Sequence, residues 1–411
     1  MMESESSKQI ISNKYLRNLA LLIAVVVFMD RLNGSIAVTS ISIIAKTLRS
    51  TPSDITIAMG TYMLAITIFV PVGTYLAKNI GIKSTFILSI IIFMIGSLFS
   101  SISSSFLEYL SSQVFQGVGG ACMVPIARLF VIQTSPKNLY IKMISLMIYP
   151  GLIAPIIAPF IGAWITHYFS WNWMYLINIP ISLIMIAIFV IYFPKLKVNK
   201  TLKSKFDFIG FALLVAILSL LFVGFDFINK YGINQILAWL ILASSGTLFF
   251  VFKSYLIRAK NPIFGLKPFK RVRSYRLSVL TGFLTLLTLG GTTYLIPLYA
   301  ETELHMTPLI AGILMLVYAS GAFSMKIITS FIFLRFGFKK PLILSIILCS
   351  VCLISIYLLK SYITLIIILL FLLGAIRNLG LSASQTLTFA DIKKRYSYDA
   401  SVLSNILRLS A

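Results

Sequence analysis

The sequence predicts an all-α integral membrane protein of about twelve spans: two six-helix-type repeats with an extra central helix pair, the C-terminal repeat being incomplete. Three observations carry that reading. Hydrophobic residues make up 59% of the 411 and charged residues 11%, with a mean hydropathy of +0.97, whereas a soluble globule is roughly 45–50% apolar. Apolar runs of about 20 residues, each long enough to cross about 30 Å of hydrocarbon as a helix, recur along the whole chain with short polar breaks. Two of those breaks also match: Asn79-Ile80-Gly81-Ile82-Lys83 after the second run resembles Arg335-Phe336-Gly337-Phe338-Lys339 after the tenth. Each offers a Gly able to take positive φ and a Lys at headgroup level.

Taken in order, residues 1–18 are a polar N-terminal segment with Lys8, Lys14 and Arg17 before or at the edge of the first run. No small-residue cleavage site follows, so the first span is expected to stay as an anchor. Spans at 19–44, 56–77, 84–104, 108–133, 141–166 and 173–193 form an N-terminal six-helix bundle over 19–193. A linker, 194–206, leads to the extra pair, 207–228 and 235–257. The basic loop 258–276 contains Lys267-Pro268-Phe269-Lys270-Arg271-Val272-Arg273, which reads as a topology determinant in contact with anionic lipid. Spans at 277–300, 309–334, 341–359 and 362–388 form a partial C-terminal bundle over 277–411, with room for a further span from Ala400.

Charge placement sets orientation and excludes function classes. With the N-terminus cytoplasmic, the loops on the far side hold only Lys46, Arg49, Lys230 and Lys360, as the positive-inside rule requires. The net charge of +24 therefore sits in breaks between spans and not on a continuous face, which argues against nucleic acid. The expected partners are membrane lipid and a small-molecule substrate, with the oligomeric state open. Cys122, Cys349 and Cys352 fall inside apolar runs, and His167 and His305 lie at span ends without ligand spacing, so no disulfide or metal is expected. No P-loop glycines are present either; an enzyme is disfavoured, and no cofactor is expected beyond a proton gradient as energy source.

The fifth run is the most patterned. Ala154, Ala158 and Gly162 recur every four positions, so on a helix they line one face and admit a close neighbour. Pro155 and Pro159 lie beside that face, each removing a backbone donor. Such a helix suits either tight packing or rocking against a partner.

Ionisable residues inside spans usually face a cavity or a partner. Asp30 is the mid-span acid, and Asn33 follows it three residues on along nearly the same face. A carboxyl withdrawn from water can load and release a proton, as a proton-linked carrier requires; the alternative is a structural pair with Arg31 or with an Arg of another helix. The cations Arg31, Arg128, Lys326 and Arg377 outnumber it and favour an anionic or zwitterionic substrate. Arg128 and Lys326 lie near the cytoplasmic ends of their spans, within snorkelling reach of headgroups. Arg377, flanked by Gly374, Asn378 and Gly380, lies deeper and is the better cavity candidate. Of the aromatics, Tyr62 and Tyr149 could line an apolar cavity, while most belong to lipid-facing belts.

Several stretches then combine. They are Gln116-Gly117-Val118-Gly119-Gly120 with Met123-Val124-Pro125-Ile126-Ala127-Arg128-Leu129, the run Pro150-Gly151 through Gly162, and Trp171-Asn172-Trp173-Met174-Tyr175-Leu176-Ile177-Asn178-Ile179-Pro180. To these are added Phe206-Asp207-Phe208-Ile209-Gly210, Leu266-Lys267-Pro268-Phe269, Ser324-Met325-Lys326 and Gln385-Thr386-Leu387-Thr388. Together they resemble the major facilitator superfamily, specifically its fourteen-helix drug:proton antiporter branch, over nearly all of the chain. The resemblance is to the multidrug exporters of Gram-negative inner membranes, and it implies a multi-pass protein of the bacterial inner membrane. Candidate cavity residues are Gln113, Gln116, Arg128 and Arg377. Gly151, Ala154, Pro155, Ala158, Pro159 and Gly162 match the antiporter-motif helix, and Gly73, Lys78, Gly81, Lys83, Gly337 and Lys339 the cytoplasmic gating loops.

Three signature charges differ. Aligned through Phe28-Met29, the family's first-helix acid is here Asn33, the Arg three residues before the motif Gln is Gln113, and the Asp of the loop after the second helix is Lys78. The family also continues for two helices past Ala411. Asp30, with Arg31 beside it, is then the expected substitute proton-linked acid, the structural ion pair staying open as the alternative. A proton-coupled exporter working by alternating access is expected first. An uncoupled facilitator of a small anion, supported by the missing charges, and a non-transporting remnant, supported by the early ending, stay open beside it.

Overall fold

The computed structural model describes residues 13–134, 139–192, 206–259, 262–263, 269, 272–359, 362–390, 403–404 and 407. The linker, most of the basic loop and most of the segment from Ala400 lie outside these residues, as do the side chains of Lys78, Arg128 and Tyr149. All regular structure among the described residues is helical. In hydrocarbon a backbone amide has no water to pair with and must find its partner within its own segment.

Helix α1, Asn13–Ile36, runs through the first apolar stretch and is continued by a tight turn, Val38–Ser40, and α2, Ile41–Thr47. Helix α3, Pro52–Asn79, starts at a reciprocal cap: Thr51 Oγ1 accepts from the Asp54 amide and Asp54 Oδ2 accepts from the Thr51 amide. Pro52 supplies the first helical position, where its missing donor costs nothing. Next come α4, Ile82–Ile102, α5, Phe106–Thr134, and α6, Tyr140–Tyr168. The sixth apolar run divides into α7, Trp173–Leu176, and α8, Asn178–Tyr192. The extra pair is α9, Phe208–Tyr231, and α10, Ile236–Arg258; Asp207 caps α9 by accepting from the Gly210 amide. The remaining helices are α11, Arg273–Leu289, α12, Thr292–Thr302, α13, Pro308–Phe336, α14, Lys339–Leu358, and α15, Ile363–Ala390.

Among the described residues ten helices are long and apolar enough to cross a membrane. The chain is a multi-pass membrane protein. The run expected as one span at 277–300 differs: it divides at Gly290-Gly291 into helices of 17 and 11 residues. Two consecutive glycines carry the largest backbone entropy cost in a helix, and Pro297 removes a further donor just beyond them. The two matching breaks do use glycine as expected, with φ of 93° at Gly81 and 68° at Gly337. Lys83, two residues after the first, donates from Nζ to the Val190 carbonyl at 3.0 Å and so closes the end of α8.

Helix α1 lies along α6, and α3 and α4 flank α5; in the second group α13, α14 and α11 surround α15. The two groups meet chiefly where α6 runs against α13. The extra pair packs on α3 through Ile68, Leu214 and Leu218, and its Phe252 joins the same apolar cluster as Tyr275 and Val279 of α11. At the opposite end of α9, Lys230 Nζ reaches Asp54 Oδ1 at 3.1 Å and Asn229 donates to Ser53 Oγ at 2.9 Å.

Helix α6 turns two faces to two neighbours. Ala154 and Ala158 are fully buried in the cluster that holds Ile36 of α1, and a Cβ on Gly162 would overlap the Ile36 carbonyl oxygen. Beyond that contact, Thr39 Oγ1 donates to the Pro159 carbonyl at 2.8 Å. The other face brings Pro159, Phe160 and Ala163 against Gly312 of α13. Gly162→Ala should therefore destabilise by about 1–3 kcal/mol through overpacking, although Ala is the better helix former. Gly246, which has open space around it, is the control: Gly246→Ala leaves the melting temperature of the detergent-purified protein level or raised, while Gly162→Ala lowers it. Equal behaviour of the two variants would remove the seam as a packing constraint.

Candidate functional site

Two polar centres interrupt the apolar interior, one within the first group and one between the two groups. In the first, Asp30 on α1 is only 5% exposed and accepts from the Tyr62 hydroxyl of α3, at 3.0 Å to Oδ1. The same hydroxyl lies 3.3 Å from the Asp30 backbone carbonyl. Arg31 Nε is 3.8 Å from Asp30 Oδ2, but its side chain is 45% exposed. The third wall is Gly120 of α5, where a Cβ would stand 2.7 Å from Asp30 Oδ1 and 3.2 Å from the Tyr62 oxygen. Glycine is what admits the pair.

One turn along α1, Asn33 enters a buried neutral cluster. Its Nδ2 donates to Gln116 Oε1 at 3.3 Å, and Gln116 Nε2 donates to Asn33 Oδ1 at 3.4 Å and to Ser97 Oγ at 2.6 Å. Asn178 Nδ2 donates to Asn33 Oδ1 and to Ser97 Oγ, each at 3.3 Å. Four elements, α1, α4, α5 and α8, are thereby joined by side chains that would be costly to bury unpaired. Gln113 lies a turn away, with Nε2 donating to Ser100 Oγ at 3.2 Å. Gln113 and Gln116, cavity candidates by sequence, are thus enclosed among the helices of the first group.

The second centre is a cavity of about 170 Å³ between the groups. Pro155 of α6 forms one wall, Tyr318, Ala322 and Lys326 of α13 another, and Arg377 and Asn378 of α15 the third. The Arg377 guanidinium carbon stands 5.9 Å from the centre of the Tyr318 ring, within cation–π range. Its Nε is buried without a hydrogen-bond partner, while Asn378 is held by donating to the Ala322 carbonyl. Arg377, the deeper cavity candidate by sequence, lines this cavity. Lys326 also lines the cavity, beside Arg377. Two cations line a small space with apolar walls, and no acidic residue is among the lining groups, which makes the local field positive.

Asn33 and Arg377 were legible as polar residues in apolar runs. Tyr62 is the partner of Asp30, a pairing across 32 residues and two helices that no spacing rule reports. Ser97 and Asn178 were missed as site residues; their signal, small polar groups inside apolar runs, is common in membrane helices. Cys122, Cys349 and Cys352 are free and buried. Among the described residues no group of three His, Cys, Asp or Glu side chains is placed to hold a metal.

Comparison with known proteins adds relatives to this geometry. Residues 23–410 match the sequence profile of the Major Facilitator Superfamily. The chain is 30% identical over 391 residues to MdtD, a candidate multidrug resistance protein, of Escherichia fergusonii, covering 93% of this chain and 81% of that one. With the MdtD of Salmonella heidelberg it shares 31% over 399 residues, 95% and 83% of the two chains. In fold it is similar to a POT family transporter in complex with a thioalcohol-conjugated peptide, at a TM-score of 0.70 and 15% identity over 96% and 88% of the chains. It is likewise similar to the partially occluded inward-open xylose transporter XylE from E. coli, at 0.63 and 10% over 96% and 88%.

Proposed function

The chain belongs to the major facilitator superfamily, and from that premise we propose that it exports small anionic or zwitterionic molecules, drug-like ones included, by proton-coupled alternating access. The cavity carries this reading: Arg377 and Lys326 face it from one group, and Pro155 closes it from the other. The relatives described as multidrug resistance proteins support export of apolar compounds, and the apolar wall from Met315 to Phe323 suits the non-polar part of such a molecule. The Lys and Arg distribution supports a cytoplasmic N-terminus, and the bacterial relatives support a bacterial inner membrane.

In that orientation the groups touch at their outer ends, where Gly312 meets Pro159 and Ala163 and Ser42 Oγ lies 3.5 Å from Glu301 Oε2. The cavity is lined by the next part of α13, from Met315 to Lys326. Substrate enters from the inside, its anionic head on Arg377 and Lys326. A proton arriving at Asp30 from outside and leaving to the cytoplasm supplies the drive, and rocking of α13 against α6 exposes the cavity to each side in turn.

Everted membrane vesicles test this directly. With an imposed pH gradient they should accumulate a fluorescent organic anion, and collapse of the gradient should stop it. The neutral Asn33 cluster favours a second reading, an uncoupled anion facilitator. Equal flux with and without the gradient would establish that reading and remove proton coupling.

A further inference from the structure

We propose that Tyr62 is the positioning residue of the proton step at Asp30, its hydroxyl moving between two acceptors on the same residue as the carboxyl gains and loses its proton. This rests on the coupling role of Asp30 proposed above and adds the partner through which that role reaches a second helix. The geometry is specific. The Tyr62 hydroxyl has one hydrogen to give and two acceptors within reach, Asp30 Oδ1 at 3.0 Å and the Asp30 backbone carbonyl at 3.3 Å.

With the carboxylate charged, the hydrogen belongs on Oδ1, because a bond to a charged acceptor is roughly twice as strong as one between neutral groups. Once the carboxyl is protonated that advantage disappears, and the hydroxyl can turn to the backbone carbonyl. Tyr62 keeps its own proton throughout. The transported proton comes from water on one side, resides on the carboxyl, and returns to water on the other.

The pair also stands at a junction. Helix α1 lies along α6 and α3 lies along α5, so the Tyr62 to Asp30 bond links one helix pair to the other. Helix α6 in turn forms the wall of the cavity at Pro155. A change in how firmly Tyr62 holds Asp30 is therefore a change in how firmly the cavity-bearing pair is tied to its neighbour. The ionisable groups facing Asp30 are Tyr62 on α3 and Arg31 on α1 itself. From α5 comes Gly120, and Gly151 of α6 lies against the stem of Arg31. Among the described residues neither of those helices brings a charged side chain to it.

The test is the pH profile of gradient-driven anion transport in everted vesicles. Tyr62→Phe removes one hydrogen bond to a charged group, worth about 1.5–3 kcal/mol, together with the weaker contact its oxygen makes with the Asn33 side chain. Without that donor the carboxyl keeps its proton to higher pH, so the midpoint of the profile should move up by about one unit or more. The maximum rate should be recovered on the alkaline side. A merely structural Tyr62 would lower the rate at every pH and leave the midpoint in place, which would overturn the proposal.

Gly120→Ala gives the second measurement should Tyr62→Phe fail to yield folded protein. Its methyl group intrudes between the partners and should displace the midpoint in the same direction, while an unmoved midpoint counts against the proposal. The underlying reading is separable. Should Asp30→Asn retain gradient-driven transport, the coupling role of Asp30 itself is lost. Should Asp30→Asn abolish it while Tyr62→Phe leaves the midpoint unmoved, only the role of Tyr62 falls.

Discussion

Asp30→Asn should abolish uphill transport and leave downhill counterflow measurable. The substitution keeps the size of the side chain and an oxygen able to accept from Tyr62, so the packing around Gly120 persists. What it removes is the ability to take up a proton on one side and release it on the other. One proton crossing a potential of about 100 mV brings about 2.3 kcal/mol, which sustains a concentration ratio of roughly 50-fold. For a zwitterionic substrate, which the potential alone does not drive, the ratio reached by the variant should fall to one. Accumulation in vesicles under a fixed gradient measures this, and counterflow of preloaded substrate shows that the variant still binds and moves it. A ratio well above one in Asp30→Asn would place the coupling group elsewhere.

This result discriminates between two readings of the first helix. Asn33 occupies the position where the resembling family carries its acid, and it is committed to Gln116 and Asn178 in a neutral cluster. Such a cluster cannot carry charge, but it fixes the arrangement of four helices around it. Asp30, one turn away, has the opposite character. It is a buried acid with one flexible cation at its edge and one hydroxyl from the neighbouring helix.

The sequence reported depth in the membrane well and direction around a helix poorly. Apolar runs located the helices because hydrocarbon thickness fixes their length, and the two glycine turns were legible because positive φ narrows the choice of residue. Arg377 was legible for the same kind of reason: a cation far from either end of a span has no headgroup to reach. Lys326 was not, since its depth allowed either snorkelling or a place on the cavity wall, and only the rotation of α13 decides. The Tyr62 and Asp30 pair was beyond reach altogether. Its existence depends on which helices are neighbours, and two helices joined by a short loop need not present those faces to each other. The split of the 277–300 run was visible as Gly290-Gly291 but was outweighed by the apolar residues around it.

Arg377→Ala carries the second large effect, on substrate and not on coupling. Its half-buried side chain lines the cavity with the guanidinium beside Tyr318, so an anionic group entering the cavity meets a charge-assisted hydrogen-bond donor there. Such bonds contribute about 1.5–3 kcal/mol, so the KM for an organic anion should rise roughly 10- to 150-fold. For an uncharged substrate of the same apolar area it should change little, because the wall from Met315 to Phe323 is untouched. Arg377→Lys should recover part of the loss, since it restores charge without the planar fork that presents two donors together. Lys326→Gln should weaken anion transport as well, leaving Arg377 as the remaining cation on the wall. The ratio of anion to neutral transport is the informative quantity. If Arg377→Ala lowered both equally, the residue would be holding α15 against α13, and the selectivity for anions would have to come from another part of the molecule.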